Sequence, residues 1–158
     1  MRPLEPDDVD TMVHLAIVTG MFPADAAPFL IEQATSWLAA GRGPGSWAVE
    51  EVDGQVVAVV FYEPRPATDR VWALTMIVVD PQHQGTGVGG RVMRRVEETL
   101  RADQQRLLVI ETSSTPTYDR TRAFYDRHGY RAVATVPDYF SDGDHMVLYH
   151  KDLRITGT

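Results

Sequence analysis

Gln82-His83-Gln84-Gly85-Thr86-Gly87-Val88-Gly89-Gly90 decides how this chain is to be read, because of what flanks it. Before it, an apolar, β-branched run from Val71 to Val79 closes at Asp80-Pro81. After it, Val88 to Leu100 is amphipathic at helical spacing. Strand, glycine-rich turn and helix gather backbone N–H groups at a helix N-terminus, where they and the helix dipole attract phosphate. Glycines at 85, 87, 89 and 90 permit positive φ and close approach of an anion. The stretch reads as a pyrophosphate seat.

Two phosphate-binding patterns bear on the choice of ligand. A P-loop needs a Lys after its second glycine, and none follows here. A dinucleotide fingerprint needs Gly-x-Gly-x-x-Gly with an acid about 20 residues on. The spacing here is Gly-x-Gly-x-Gly-Gly, and Glu111 follows at a tolerable distance, so spacing alone leaves a dinucleotide binder open.

The flanks make the reading specific. Val78-Val79-Asp80-Pro81-Gln82-His83-Gln84-Gly85-Thr86-Gly87-Val88-Gly89 resembles the acyl-CoA-binding motif Gln/Arg-x-x-Gly-x-Gly/Ala of the GNAT superfamily of N-acetyltransferases. Ala123-Phe124-Tyr125-Asp126-Arg127-His128-Gly129-Tyr130 resembles that family's second signature, an aromatic-Tyr pair on a helix ended by Gly-aromatic. Arg2-Pro3-Leu4-Glu5-Pro6-Asp7-Asp8 is similar to a typical opening of the family. The resemblance covers essentially the whole chain, in the family's order.

Composition agrees with one domain of enzyme size over residues 1–158, with 44% hydrophobic content. Neither a membrane span nor a secretory leader is visible. Cysteine is absent, which removes disulfides, thiolate metal sites and cysteine nucleophiles and fits a cytoplasmic protein. A net charge of −7 argues against a nucleic-acid partner, which needs a basic face. The five histidines lack ligand spacing, so no metal is expected.

Periodicity and turn chemistry give an element order. Asp7 is expected to cap a helix over Val9 to Thr19, and a second helix runs from about Ala24 to Ala39. Trp47–Val52, Asp53-Gly54 and Gln55–Tyr62 read as a hairpin. A Pro-rich connection, residues 63–69, leads to a strand over about Arg70 to Val79. Then come the helix to Ala102, a strand Arg106–Thr112, a helix Tyr118–His128, and strands Tyr130–Val136 and His145–Lys151. With a short first strand at Met1–Leu4, the order is β-α-α-β-β-β-α-β-α-β-β. It matches the layout that the resemblance implies: an α/β mixed sheet flanked by helices, the GNAT acyl-CoA N-acyltransferase fold.

The resemblance also implies chemistry. The third long strand carries a bulge and splays from the strand after the glycine loop, and acetyl-CoA enters the gap. Its pantetheine arm pairs with main-chain groups of Ile77, Val78 and Val79, beside Tyr118, which stands where relatives often have an Asn. Its pyrophosphate sits on the amides of Gln84, Gly85, Thr86, Gly87, Val88, Gly89 and Gly90. Arg91, Arg94 and Arg95 form either a contact to the 3′-phosphate or a solvated helix face. With no cysteine, direct transfer in a ternary complex is expected. An amine of pKa about 10.4 is only about 0.1% neutral at physiological pH, roughly 4 kcal/mol of barrier that a base must offset.

Tyr125 matches the family tyrosine that protonates the leaving thiolate. Glu111 is the candidate general base; it resembles the Glu before the Tyr in ribosomal-protein N-terminal alanine acetyltransferases, across a longer interval. Thr75 could line the amine pocket. Pro137-Asp138-Tyr139-Phe140-Ser141-Asp142-Gly143-Asp144-His145-Met146 resembles a substrate-side loop of protein N-terminal acetyltransferases. Tyr139 and Phe140 could wall the acceptor channel, and Asp138 or Asp142 could attract its ammonium. The expected activity is acetyl-CoA-dependent N-acetylation of a small primary amine or amino acid. Protein N-terminal acetylation and a non-catalytic acyl-CoA-binding module are the alternatives, and a homodimer stays open.

Overall fold

A computed structural model describes residues 1–154; the last four residues of the expected 1–158 domain lie outside the described residues. Seven strands form one mixed sheet in the order β1-β2-β3-β4-β5-β7-β6. The strands are β1 (Arg2–Pro3), β2 (Ser46–Val52), β3 (Gln55–Pro64), β4 (Val71–Val79), β5 (Leu107–Ser113), β6 (Arg131–Ser141) and β7 (Asp144–Asp152). The helices are α1 (Val9–Val18), α2 (Ala27–Ala39), α3 (Val88–Ala102) and α4 (Asp119–Arg127). The expected order of elements is therefore the observed one. Two compact units divide the chain, Met1–Glu63 with Thr75–Val96 and Pro64–Leu74 with Glu97 onward, so β4 and α3 each contribute to both. Among the described residues, no helix is long and apolar enough to cross a membrane.

In the first unit, the apolar stripes of α1 and α2 meet one face of the sheet. Val9, Met12, Val13, Leu15 and Ala16 from α1 and Leu30 and Ala34 from α2 pack with Val49, Val59, Met76 and Val78. The β2–β3 hairpin turns on Asp53 (φ 52°) and Gly54 (φ 77°), the pair of positive φ values that a two-residue turn matching strand twist requires. Asp7 does not cap α1. A 3₁₀ turn over Pro6–Asp8 precedes the helix, and it is buried Asp8 whose carboxylate accepts the Glu5 N–H at 2.8 Å and pairs with Arg2 at 2.6 Å. Asp7 stays exposed because the extra turn rotates it to the solvent side.

In the second unit, β5 is central. Its parallel ladder with β4 runs from Val71↔Leu107 to Leu74↔Ile110 and ends there, while its antiparallel ladder with β7 continues to Ser113↔Met146. The helix α4 ends as the Gly-aromatic pattern predicts. Gly129 takes φ 79°, the Tyr130 N–H reaches the Tyr125 carbonyl at 3.1 Å, and the Gly129 N–H reaches Asp126 at 3.1 Å, a Schellman motif. The segment expected as a loop after Val136 is strand instead. β6 runs to Ser141, and Asp142-Gly143 alone make the turn. The pairing tolerates this by shifting register twice, between Ala132 and Ala134 and between Val136 and Ser141.

Candidate functional site

The glycine-rich loop belongs wholly to the first unit. The Asp80 backbone N–H donates to the Val57 carbonyl at 2.8 Å, and its carboxylate accepts the Gln82 N–H at 2.9 Å, starting a 3₁₀ turn over Pro81–His83. Two side chains then brace the loop from within. The Gln84 amide donates to the Val79 carbonyl (3.1 Å), and the Thr86 hydroxyl donates to the His83 carbonyl (2.6 Å). Gly85 and Gly87 take φ 76° and 89°, whereas Gly89 and Gly90 are helical. Of the four glycines that permit positive φ, only the two in the turn before the helix use it.

The Gly87 carbonyl accepts the Arg91 N–H at 3.0 Å and so opens α3. The first N–H groups of that helix have no intrahelical acceptor and carry its partial positive charge. Gln84 to Gly87 are exposed, while Val88 is buried and pins the helix start to the core. A Cβ at Gly85 would meet nothing within 4 Å, so the turn faces open space. Arg91 lies beside it, its Nη1 4.0 Å from where a Gly87 Cβ would stand and its Nε 3.5 Å from Glu50. Arg94 and Arg95 are exposed. These residues fit a phosphate: exposed amides at a helix N-terminus, a rigid turn, and a guanidinium alongside.

On the second half of β4, side chains alternate. Met76 and Val78 enter the first unit's core, leaving Thr75, Ile77 and Val79 on the other face, exposed or half-buried. The Thr75 hydroxyl donates to the Phe61 carbonyl at 3.3 Å, a satisfied strand hydroxyl.

Tyr125 lies in the second unit, buried on α4 at 4% exposure. Its ring meets those of Phe124, Tyr149 and Tyr130, with centroids at 5.5, 5.6 and 6.0 Å. Burial, and then the neighbouring Tyr149, push its phenol above the ordinary range, so it is protonated throughout the neutral pH range. Behind it, Glu97 anchors the end of α4. The buried carboxylate accepts from the Tyr130 hydroxyl (3.0 Å), Lys151 Nζ (2.9 Å) and Arg101 (3.1 Å), and Lys151 also donates to the His128 carbonyl (2.8 Å). Tyr118 is half-buried at the start of α4.

Glu111 sits on β5 opposite Leu148, whereas Tyr149 is opposite Ile110. Because strand side chains alternate, Glu111 and the Tyr125–Tyr149 pair occupy opposite faces of the β5–β7 layer. Glu111 is instead joined by Arg65, whose Nη2 donates to its Oε1. Sequence reasoning passed over Arg65, which lies 46 residues away in the Pro-rich connection. No spacing rule could have paired the two.

The substrate-side segment lies on the β6–β7 hairpin. Tyr139 and Phe140 are 53% and 48% exposed, in edge-to-face contact at 5.1 Å. Asp138 takes φ 52°; its carboxylate accepts the Gly143 N–H (2.8 Å) and its own N–H donates to His145 Nδ1 (2.9 Å). That bond places the proton of neutral His145 on Nε2. Asp138 thus closes the hairpin turn.

Comparison with known proteins bears on the whole arrangement. The model of the acetyltransferase (GNAT) family matches residues 14–130. Among solved structures, a GNAT-family protein from Desulfovibrio desulfuricans is similar with a TM-score of 0.90 at 28% identity, covering 98% of each chain. An aminoglycoside 6′-N-acetyltransferase complexed with coenzyme A gives 0.80 at 15% identity, over 98% of this chain and 95% of its own. A ribosomal-protein-alanine N-acetyltransferase from Brucella melitensis gives 0.77 at 19%, over 96% and 98%. At these last two identities the likeness is one of fold. No curated protein matches the chain in sequence.

Proposed function

Because this chain belongs to the GNAT acetyltransferase family, and is therefore an acyl-CoA-dependent N-acetyltransferase, we propose that it moves an acetyl group from acetyl-CoA to a small primary amine by direct transfer. The observation that carries this is the exposed Gly85–Gly87 turn at the N-terminus of α3, braced by Gln84 and Thr86. In this reading the amides of Gln84 to Gly90 hold the pyrophosphate. Main-chain groups of Ile77, Val78 and Val79 are assigned to the pantetheine arm, and Tyr118 is assigned to the donor as well. The whole chain works as one acetyltransferase domain, and its lack of cysteine suits a cytoplasmic enzyme.

Glu111 receives the proton that the amine loses as its nitrogen bonds to the acetyl carbonyl carbon. Tyr125 donates to the sulfur as the carbon–sulfur bond breaks. Its raised pKa keeps the phenol protonated while making it a weaker acid, so its contribution is a hydrogen bond to the developing thiolate, which burial strengthens. Thr75, Asp138, Tyr139 and Phe140 are assigned to the acceptor side.

An amine panel with acetyl-CoA and thiol detection tests the reaction, and Tyr125→Phe tests the acid. The variant keeps the ring but loses the proton. Turnover should fall roughly 10- to 1,000-fold while acetyl-CoA affinity stays near wild type. Unaltered turnover, measured where chemistry limits the rate, returns Tyr125 to a packing role.

A further inference from the structure

The guanidinium of Arg65 has one partner among the described residues, Glu111, and uses only Nη2 to reach it. The rest of its planar donor fork is uncommitted. Its backbone, by contrast, is pinned: the Arg65 N–H donates to the Val71 carbonyl (2.8 Å), and its carbonyl accepts from the Thr68 hydroxyl (2.8 Å). The pair is half open, with side chains 41% and 27% exposed. Glu111 shares its sheet face with Leu148, part of a small apolar cluster with Val71, Ala73 and Val109.

This pair differs from the two buried carboxylate–cation clusters, at Asp8 and Glu97. Asp8 and Glu97 are 9% and 5% exposed at the side chain, and each has several partners, as a structural anion should. Glu111 has a single partner and stands within reach of solvent. A half-exposed ion pair is weak, because water competes for both charges, and is easily exchanged.

Resting on the acceptor-side assignment of Glu111, we propose that the Arg65–Glu111 pair is the acceptor's recognition element, and that the acceptor is an amine also bearing a carboxylate, as in an α-amino acid. A plain ammonium that took Glu111 would leave Arg65 without its counter-charge. A zwitterion exchanges both partners at once: its carboxylate takes the guanidinium fork, its ammonium takes Glu111, and the site stays neutral. Arg favours this exchange because its fork matches a carboxylate in a bidentate way that an ammonium cannot. The same exchange frees Glu111 Oε1 from Arg65 and places the carboxylate against the amine whose proton it is to receive.

The test uses the full-length protein at saturating acetyl-CoA with matched acceptors: α-amino acids, their amides, and the corresponding decarboxylated amines. The carboxylate-bearing member of each set should have the higher kcat/KM by at least roughly tenfold, expressed mainly in KM. Arg65→Gln should collapse that ratio toward one by raising the KM of the carboxylate-bearing member, and Arg65→Lys should restore part of it. Wild-type preference for carboxylate-free amines, absence of thiol release with every carboxylate-bearing amine, or equal loss on all three acceptors in Arg65→Gln would each overturn the proposal. Glu111→Gln separates it from the reading beneath. If Glu111 is not the base, that variant leaves the pH profile of kcat unchanged while the carboxylate preference in the wild type persists. If the proposal alone fails, the profile shifts and the preference is missing.

Discussion

At the scale of single residues, the contrast between Asp8 and Glu111 shows how burial sets the use of a carboxylate. Asp8 is buried against Arg2, whose guanidinium holds its carboxyl below the ordinary range despite the opposing effect of burial, with the Glu5 N–H assisting. A lowered folded-state pKa means that the folded state binds fewer protons than the unfolded one, so this contribution to stability is present above the unfolded value of about 3.9. It is lost as pH falls through the folded pKa. Asp8→Asn should therefore destabilise the protein by about 1–3 kcal/mol at neutral pH. The gap between variant and wild type should close as denaturation is repeated at pH values falling below about 4. A gap that persists unchanged in acid would show that the ion pair is not its source. Glu111 lies outside such enclosure, which is why its partner is open to exchange.

At the scale of elements, two helix ends carry the argument. The start of α3 depends on Gly87, which is exposed, whose φ of 89° disfavours any side chain, and whose amide belongs to the proposed phosphate seat. Gly87→Glu adds strain, bulk and negative charge there, so acetyl-CoA binding should weaken by at least about tenfold in titration calorimetry. Unchanged affinity would remove the loop from the donor site. The end of α4 depends on Tyr130, which closes the Schellman motif and donates its hydroxyl to buried Glu97. Burial and then Glu97 push that phenol above its ordinary range, so it acts as a fixed donor. Tyr130→Phe should cost about 1–2 kcal/mol, since Lys151 and Arg101 still satisfy the carboxylate. Chemical denaturation showing no loss would mean that the hydroxyl contributes nothing net to anchoring α4.

At the scale of the molecule, donor binding must appear as stability. A ligand bound only by the folded state stabilises by about 2.7 kcal/mol at one hundred times its Kd. For a protein of 158 residues that corresponds to a rise in Tm of roughly 5–10 °C. Acetyl-CoA should produce it, and NAD at the same concentration should not. A shift with NAD alone would revive the dinucleotide reading that glycine spacing leaves open.

What the sequence determined by itself was what short-range physics controls. Asp53-Gly54 required positive φ and so made a hairpin; Gly85-Thr86-Gly87 before an amphipathic run made a helix start; Gly129-Tyr130 made a helix end. These are hydrogen bonds and dihedrals spanning a few residues, and from them the element order and the family resemblance followed. Tertiary structure decided what depends on register and burial. Asp8 rather than Asp7 enters the core, because an extra 3₁₀ turn rotates the chain. The β6 strand consumes most of the expected loop, because pairing with β7 resumes at Ser141↔Asp144 after a register shift that the sequence pattern does not encode. Glu111 and Tyr125 fall on opposite faces of one layer, because the β5–β7 register sets Glu111 against Leu148 and Tyr149 against Ile110. The partner of Glu111 comes from 46 residues away, a distance closed only when β4 and β5 pair in parallel and bring their flanking segments together.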